Sequence, residues 1–204
     1  MTRRSKELGS LLAGLESVIS SAMREEPLGG TISDVFRALR TPTDRRPEHR
    51  PERLPACEGV ADAISRARSG NPEIAEIADT FEKIEPLLSW RRRAGSETAE
   101  DPAFHDGHAN ALIIGPNGLE ERADIWIGVS LMSPNVQYPV HRHPPEEIYV
   151  VLSPGEWKKG DEPWHVPGIG GLVHNPPGTI HSMRSANAPL LAFWLLWSES
   201  RISL

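Results

Sequence analysis

The 204 residues of this chain allow one domain of ordinary size with an extension, or two small domains. Hydrophobic residues make up 38% and charged residues 25%, a globular composition that excludes a disordered or membrane-embedded chain. The net charge of −6 argues against a general affinity for nucleic acid, and the single cysteine, Cys57, excludes an internal disulfide and fits a reducing compartment. We therefore expect a soluble, cytoplasmic protein with no nucleic-acid or membrane partner.

The first hundred residues are predicted to be mainly helical. Residues 5–24 repeat leucine and isoleucine at the spacing of an amphipathic helix, and Glu16 interrupts the apolar positions, so the segment does not fit a secretory signal. Further helices are expected up to about Leu39, over 56–69 and over 72–91. Residues 40–55 are rich in proline and arginine and are expected to form a loop. We predict a helical N-terminal region over 1–100, which could cover an open face of a sheet or pair with a second subunit in a homodimer.

From about Ala109 the pattern changes to short β-type runs. They recur about every ten residues and are separated by Gly, Pro, Asn and Ser. The runs are ALIIG, ADIWIGVSLMS, VQYPVHRH, EEIYVVLS, GGLVHNP, HSMRS and PLLAFWLLWS. This spacing is typical of an all-β sandwich or barrel, so residues 101–204 are predicted to form the domain that carries the site.

Several groups able to bind a metal cluster in the stretch YPVHRHPPEEIYVVL, residues 138–152. His141 and His143 are two apart, so a strand would place both on one face. Two prolines then predict a turn, after which Glu147 begins the next run; His181, which follows the turn PPGT, is a fourth candidate. Imidazoles with a carboxylate suit zinc, iron(II), manganese, nickel or cobalt, so we expect one divalent metal ion per chain.

The motif HxHxxxE, followed about thirty residues later by PxGxxH, resembles the two motifs of the cupin superfamily, whose members are small β-barrels that hold one metal ion. The resemblance implies a cupin β-barrel over 101–204. It also implies four metal ligands: His141, His143, Glu147 and His181. The chain departs from the motifs at Asn135, where a glycine is usual, and at Ser185, where an asparagine is usual; in addition, the glycine expected after the glutamate comes one residue late, at Gly155. These departures concern turns and leave the ligands unchanged.

A narrower pattern, YxxHxHxxxExY, together with the helical first half, resembles the cupin-type dimethylsulfoniopropionate lyases of the Q type. Those enzymes split dimethylsulfoniopropionate into dimethyl sulfide and acrylate. The resemblance implies a metal-dependent carbon–sulfur lyase that works by β-elimination, with the substrate carboxylate on the metal and Tyr149 as the base. Strand alternation allows that role, since Tyr149 lies two residues after Glu147. Tyr138 would point away from the histidines unless Pro139 bends the chain, and we expect it to position the carboxylate or assist catalysis.

The substrate's sulfonium group cannot accept a hydrogen bond, and aromatic faces suit it through cation–π attraction. Trp126, Trp194 and Trp197 lie in predicted strands and are candidates for substrate binding. Trp194 and Trp197 are three apart, so a regular strand sends them to opposite faces and at most one should reach the cavity.

Other polar residues near the motifs receive no role. His105 and His108 are expected in a polar turn before the first strand, and Arg142, between two ligand histidines, should face away from the metal.

Two other functions fit the same motifs. A different cupin metalloenzyme, such as an iron(II) dioxygenase, could use the same four ligands, but it would need oxygen and no tyrosine base. A non-enzymatic cupin ligand sensor joined to a DNA-binding half would need a basic recognition helix, and residues 56–90 carry more acidic than basic groups.

Overall fold

The computed structural model describes residues 4–24, 29–43, 50–93 and 102–197, and it has helices first and strands after them. The helices are α1 (Lys6–Ala22), α2 (Gly29–Leu39), α3 (Val60–Ala67), α4 (Pro72–Ile84) and α5 (Pro102–Gly107). The strands are β1 (His108–Ile114), β2 (Ile125–Met132), β3 (Glu146–Val151), β4 (Glu156–Lys159), β5 (Leu172–Asn175), β6 (His181–Arg184) and β7 (Leu190–Trp197). Within these ranges, no helix has the length and apolar character that crossing a bilayer requires.

Two of the predicted helices begin at side-chain caps. The Ser5 hydroxyl accepts a hydrogen bond from the Leu8 amide at 3.2 Å at the start of α1. The Asn71 side chain accepts one from the Ile74 amide at 3.0 Å at the start of α4, where Pro72 occupies the first helical position. These caps satisfy amides that have no partner inside the helix.

Helix α4 ends at Ile84, earlier than the predicted limit of residue 91. Pro86 lacks an amide hydrogen and cannot continue the helical bonding, so the chain passes into a short 3-10 turn and then an extended segment. In that segment the backbone groups of Arg91 and Asn110 exchange two hydrogen bonds of 2.8 Å, which joins the end of the helical region to β1.

The strands form two antiparallel sheets, one of five strands in the order β1-β2-β7-β3-β5 and one of β4 and β6. Apolar side chains of both sheets meet in one cluster, so the sheets face each other as in the predicted barrel. The predicted run over 136–143 is not a regular strand: its pairing with β6 consists of the isolated bridges Gln137–Arg184 and His141–His181. Strand β4 and helix α5 were not predicted. The cupin-type barrel preceded by helices is confirmed.

The helices cover the outer face of the large sheet. Apolar residues of α1, α3 and α4 share one buried core with alternate residues of β7, among them Phe193 and Leu195. Phe81 of α4 meets Phe193 edge to face, with ring centroids 5.1 Å apart. The predicted boundary between residues 100 and 101 lies outside the described residues and stays a prediction.

Two of the departures from the cupin motifs are accommodated locally. Asn135 adopts a φ of 59°, a left-handed conformation that asparagine tolerates better than most residues other than glycine. The Ser185 hydroxyl donates to the Ser133 carbonyl at 2.6 Å and accepts from the Val136 amide at 2.9 Å, so it holds the same turn together.

We expect Phe81→Ala to lower the free energy of unfolding by about 3–5 kcal/mol, because it leaves a cavity between α4 and the sheet. Val166→Ala, at a side chain 65% exposed, serves as the control and should change it by about 0.5 kcal/mol or less. Urea denaturation measures both. Equal small effects would contradict a core shared by helices and sheet.

Candidate active site

The register of the large sheet decides which side chains share its inner face. One cross-strand row contains Leu112, Gly128, Trp194, Tyr149 and Val173. The next row contains Trp126, Leu196, Glu147 and Asn175. Glu147 and Tyr149 therefore lie on the same face, as strand alternation predicted, and Trp194 is the cross-strand neighbour of Tyr149.

These rows form the floor of a cavity of about 850 Å³. The candidate residues that line it are Tyr138, His141, His143, Glu147, Tyr149, Trp126 and Trp194. Trp197 does not: it is 1% exposed and is buried on the outer face, in the core shared with the helices. Trp194 and Trp197 thus point to opposite faces, as their spacing predicted, and Trp197 is not a candidate for substrate binding.

The indole of Trp194 lies over the backbone of Gly128 on the neighbouring strand. A β-carbon at Gly128 would stand 2.1 Å from Cζ2 of Trp194. No real side chain tolerates that distance, so the position of the indole depends on the absence of a side chain at Gly128.

His141, His143 and His181 form a compact group in which one ring nitrogen of each lies within 4.8 Å of the others. The opposite ring nitrogen, Nδ1, of each histidine lies at hydrogen-bond distance from a backbone carbonyl two residues away. The carbonyls are those of Pro139 at 2.9 Å, Pro145 at 2.9 Å and Thr179 at 2.8 Å, respectively. A carbonyl only accepts, so Nδ1 carries the proton in each ring and Nε2 presents a lone pair, the arrangement typical of metal-binding histidines.

Glu147 lies against two of these histidines. Its Oε2 is 3.2 Å from Nε2 of His181 and 3.4 Å from Nε2 of His143. The same oxygen accepts a hydrogen bond of 2.9 Å from Nδ2 of the Asn175 side chain. Both Nε2 atoms are buried, and neither has a properly oriented hydrogen-bond partner within the described residues. Buried nitrogens without partners are costly, and this donor set fits a divalent cation, so the group could hold a metal.

The protonation states of Glu147 and His141 agree with that fit. Burial opposes ionisation of Glu147, but His143 and His181 outweigh it and hold the pKa of Glu147 at about 2. Burial, followed by the charge of His181, lowers the pKa of His141 to about 4, so its imidazole is neutral at pH 7. A carboxylate and a neutral imidazole are the forms that bind metals.

Both tyrosines reach the cavity. Burial, and then the charge of Glu147, raises the pKa of Tyr149 well above its ordinary value. Burial also raises the pKa of Tyr138, whose ring centroid lies 5.0 Å from that of His141. Tyr138 faces the histidines because its segment is not a regular strand, so simple alternation does not apply to it.

Several residues of the cavity were not predicted. Asn110 donates a hydrogen bond from Nδ2 to the Tyr138 hydroxyl at 3.1 Å and accepts one from the Ser130 hydroxyl at 2.7 Å. Arg93 lines the cavity, with Cζ 5.5 Å from the centroid of the Tyr138 ring. Arg142, expected to face away, also lines the cavity. No local pattern in the sequence brings these residues together.

The expectation that His105 and His108 lie in a polar turn is wrong. His105 lies in helix α5, and His108 is the first residue of β1 and only 1% exposed. The His108 ring bonds through Nδ1 to the Phe104 carbonyl and accepts at Nε2 a hydrogen bond of 2.9 Å from the Arg93 amide.

Comparisons with known proteins identify the family and the fold of this chain. The family model for dimethylsulfoniopropionate lyase matches residues 30–192. Dimethylsulfoniopropionate lyase DddQ of Ruegeria pomeroyi is 32% identical over 125 residues, which cover 60% of this chain and 61% of that protein. The match therefore spans less than two thirds of that relative's length.

Two solved structures share the fold. The crystal structure of DddQ from Ruegeria pomeroyi superposes with a TM-score of 0.67 at 24% identity, covering 96% of this chain and 93% of that chain. A chain from the crystal structures of the lyases RdDddP and RnDddQII gives 0.69 at 20% identity, covering 95% and 93%. With the family match extending over most of its length, this chain belongs to the dimethylsulfoniopropionate lyase family.

Proposed function

We propose that this protein is a metal-dependent carbon–sulfur lyase that cleaves dimethylsulfoniopropionate to dimethyl sulfide and acrylate. The observation that carries the proposal is the position of Tyr149, which shares one face of β3 with Glu147 and one cross-strand pair with Trp194. A group able to accept a proton thus lies between a candidate metal site and an aromatic surface. Membership of the family, and the name of the relative from Ruegeria pomeroyi, support the choice of substrate.

The proposed metal ligands are His141, His143, His181 and Glu147. Their fit rests on the buried Nε2 atoms of His143 and His181, which have no properly oriented partner among the described residues, and on the ionised carboxylate of Glu147. A divalent cation bound there supplies positive charge that polarises the substrate carboxylate and favours the ionised form of a nearby phenol. Zinc, iron(II), manganese, nickel and cobalt all suit these ligands.

Tyr149 is the proposed base. It takes the proton from the carbon beside the substrate carboxylate, the electron pair of that C–H bond forms the carbon–carbon double bond, and the C–S bond breaks. Dimethyl sulfide leaves as a neutral molecule and acrylate keeps the carboxylate. Burial raises the pKa of Tyr149, so the reaction needs positive charge near the hydroxyl to form phenolate at pH 7.

The sulfonium end of the substrate is proposed to lie against Trp194, with Trp126 in the neighbouring row. An indole face attracts a cation without a hydrogen bond, and Trp194 is the cross-strand neighbour of the proposed base.

The decisive test is to incubate the metal-loaded protein with dimethylsulfoniopropionate without oxygen and to measure dimethyl sulfide and acrylate together. We expect equal amounts of both, and a loss of kcat of about 100-fold or more in Tyr149→Phe, because proton transfer by a placed side chain contributes at least that much. The variant's metal content, measured in parallel, should match the parent's. Product that forms only in the presence of oxygen would instead favour the dioxygenase.

Metal binding should also be visible in stability. Zinc at ~100 times its dissociation constant should raise the melting temperature of the chelator-treated protein by about 5–10 °C, because it binds only the folded state. His181→Ala should abolish this shift, whereas His165→Ala, which removes an exposed histidine, should keep it. An equal shift in both variants would place the zinc elsewhere.

Gly128→Ala should displace the indole of Trp194 and raise KM by about tenfold, with metal content unchanged. The matched test is a double-mutant cycle: in a Trp194→Leu background, Gly128→Ala should have little further effect on KM. Additive losses would show that Gly128 acts by another route.

A further inference from the structure

A hydrogen-bonded chain of three side chains fixes the direction in which the Tyr138 hydroxyl can donate. The Ser130 hydroxyl donates to Oδ1 of Asn110 at 2.7 Å, and Nδ2 of Asn110 donates to the Tyr138 oxygen at 3.1 Å. A phenol oxygen carries one proton, and the bond from Asn110 occupies an acceptor position only. The proton of Tyr138 therefore remains available for a group in the cavity that Tyr138 lines.

Arg93 brings a cation to the same place. Its Cζ lies 5.5 Å from the centroid of the Tyr138 ring, and its side chain lines the same cavity. Its backbone amide is held by His108, which is itself bonded to the Phe104 carbonyl. The Arg93 guanidinium is thus attached to a segment that is fixed against the start of β1.

Within the described ranges, Arg93 differs from its two arginine neighbours in its ion pairs. Arg91 and Arg92 form ion pairs with Glu52 and Asp106, whereas no ion pair joins Arg93 to a carboxylate among the residues that the structure describes. Of the cavity-lining residues in those ranges, Glu147 is the one carboxylate, and it already lies against two imidazoles. A positive group that forms no ion pair with the described residues around its cavity favours an anionic ligand.

We propose that Arg93 and the Tyr138 hydroxyl, oriented by Asn110, form a subsite for the carboxylate of a small organic acid. The identity of that acid rests on the proposed function: it is the substrate before elimination and acrylate afterwards. A carboxylate offers about four lone-pair sites, so the planar guanidinium and the hydroxyl can donate to it while another lone pair faces a cation held by the histidines. Like-charge repulsion from Arg93 also keeps the sulfonium away from this end of the cavity.

Acrylate binding to the metal-loaded full chain tests the subsite without turnover, because acrylate is a product. Isothermal titration at constant ionic strength should give a dissociation constant at least about tenfold higher for Arg93→Gln than for the parent, since a charge-assisted hydrogen bond is lost. Arg142→Gln removes the same charge from another residue that lines the cavity and should change the constant less than about threefold. Arg93→Lys keeps the charge but not the planar fork and should fall between them.

A cationic probe separates recognition from folding. Trimethylsulfonium lacks a carboxylate, so Arg93→Gln should bind it at least as tightly as the parent does. Loss of both acrylate and trimethylsulfonium binding, with a lowered melting temperature, would make Arg93 a structural residue and overturn the proposal. Equal losses of acrylate binding in Arg93→Gln and Arg142→Gln would overturn the proposal too. Acrylate would then respond to the total positive charge around the cavity and not to a specific contact with Arg93.

The role of Asn110 has its own test. Asn110→Asp places an acceptor where Nδ2 stood, so the Tyr138 proton turns towards it and away from the ligand. Acrylate should bind several-fold more weakly, and this loss should be smaller in a Tyr138→Phe background, where only the added charge acts. The same loss in both backgrounds would remove Asn110 from the subsite.

These results are independent of the lyase assay. Acrylate binding that depends on Arg93 in a protein without lyase activity would refute the proposed function and leave the subsite. Turnover in a protein with no measurable acrylate binding would support the proposed function and refute the subsite.

Discussion

The inner face of the barrel gathers imidazoles and a carboxylate away from water, and the rest of the structure has to accommodate them. Each of the three histidines is oriented by a carbonyl only two residues away, so the turns that carry them also fix which nitrogen bears the proton. The Nε2 atoms of His143 and His181 are buried and have no properly oriented partner within the described part of the chain. Such a group is unfavourable without a cation, which links stability to the proposed metal.

A sheet whose inner face carries a site needs another apolar surface for stability. Here the outer face supplies it: Phe193 and Leu195 of β7 are buried under the helices, while the alternate residue Trp194 faces the cavity. This division between the two faces of the sheet explains why the protein has a long helical region. The helical region covers the outer face. Its extended end pairs with β1 through Arg91 and Asn110, and this pairing places Arg93 at the cavity.

The local parts of this arrangement could be predicted from the sequence, and the long-range parts could not. The spacing of Glu147 and Tyr149 predicts that they share one face of β3, because strand alternation acts over a few residues. The same rule fails for Tyr138 and Arg142, whose segment pairs with β6 at isolated bridges and is not a regular strand. Arg93 and Asn110 carry no sequence signal, since their approach depends on pairing between segments with a helix between them.

Strand β2 connects the two ends of the proposed substrate site. Its successive inward positions are Gly128 and Ser130, and each acts on a neighbouring strand. Because Gly128 has no side chain, the indole of Trp194 can lie close to the backbone of β2 at the proposed sulfonium end. Ser130 orients Asn110 and through it the hydroxyl of Tyr138 at the proposed carboxylate end. A zwitterion needs opposite surroundings at its two ends, and two adjacent inward positions of one strand can set both because the sheet holds them in a fixed register.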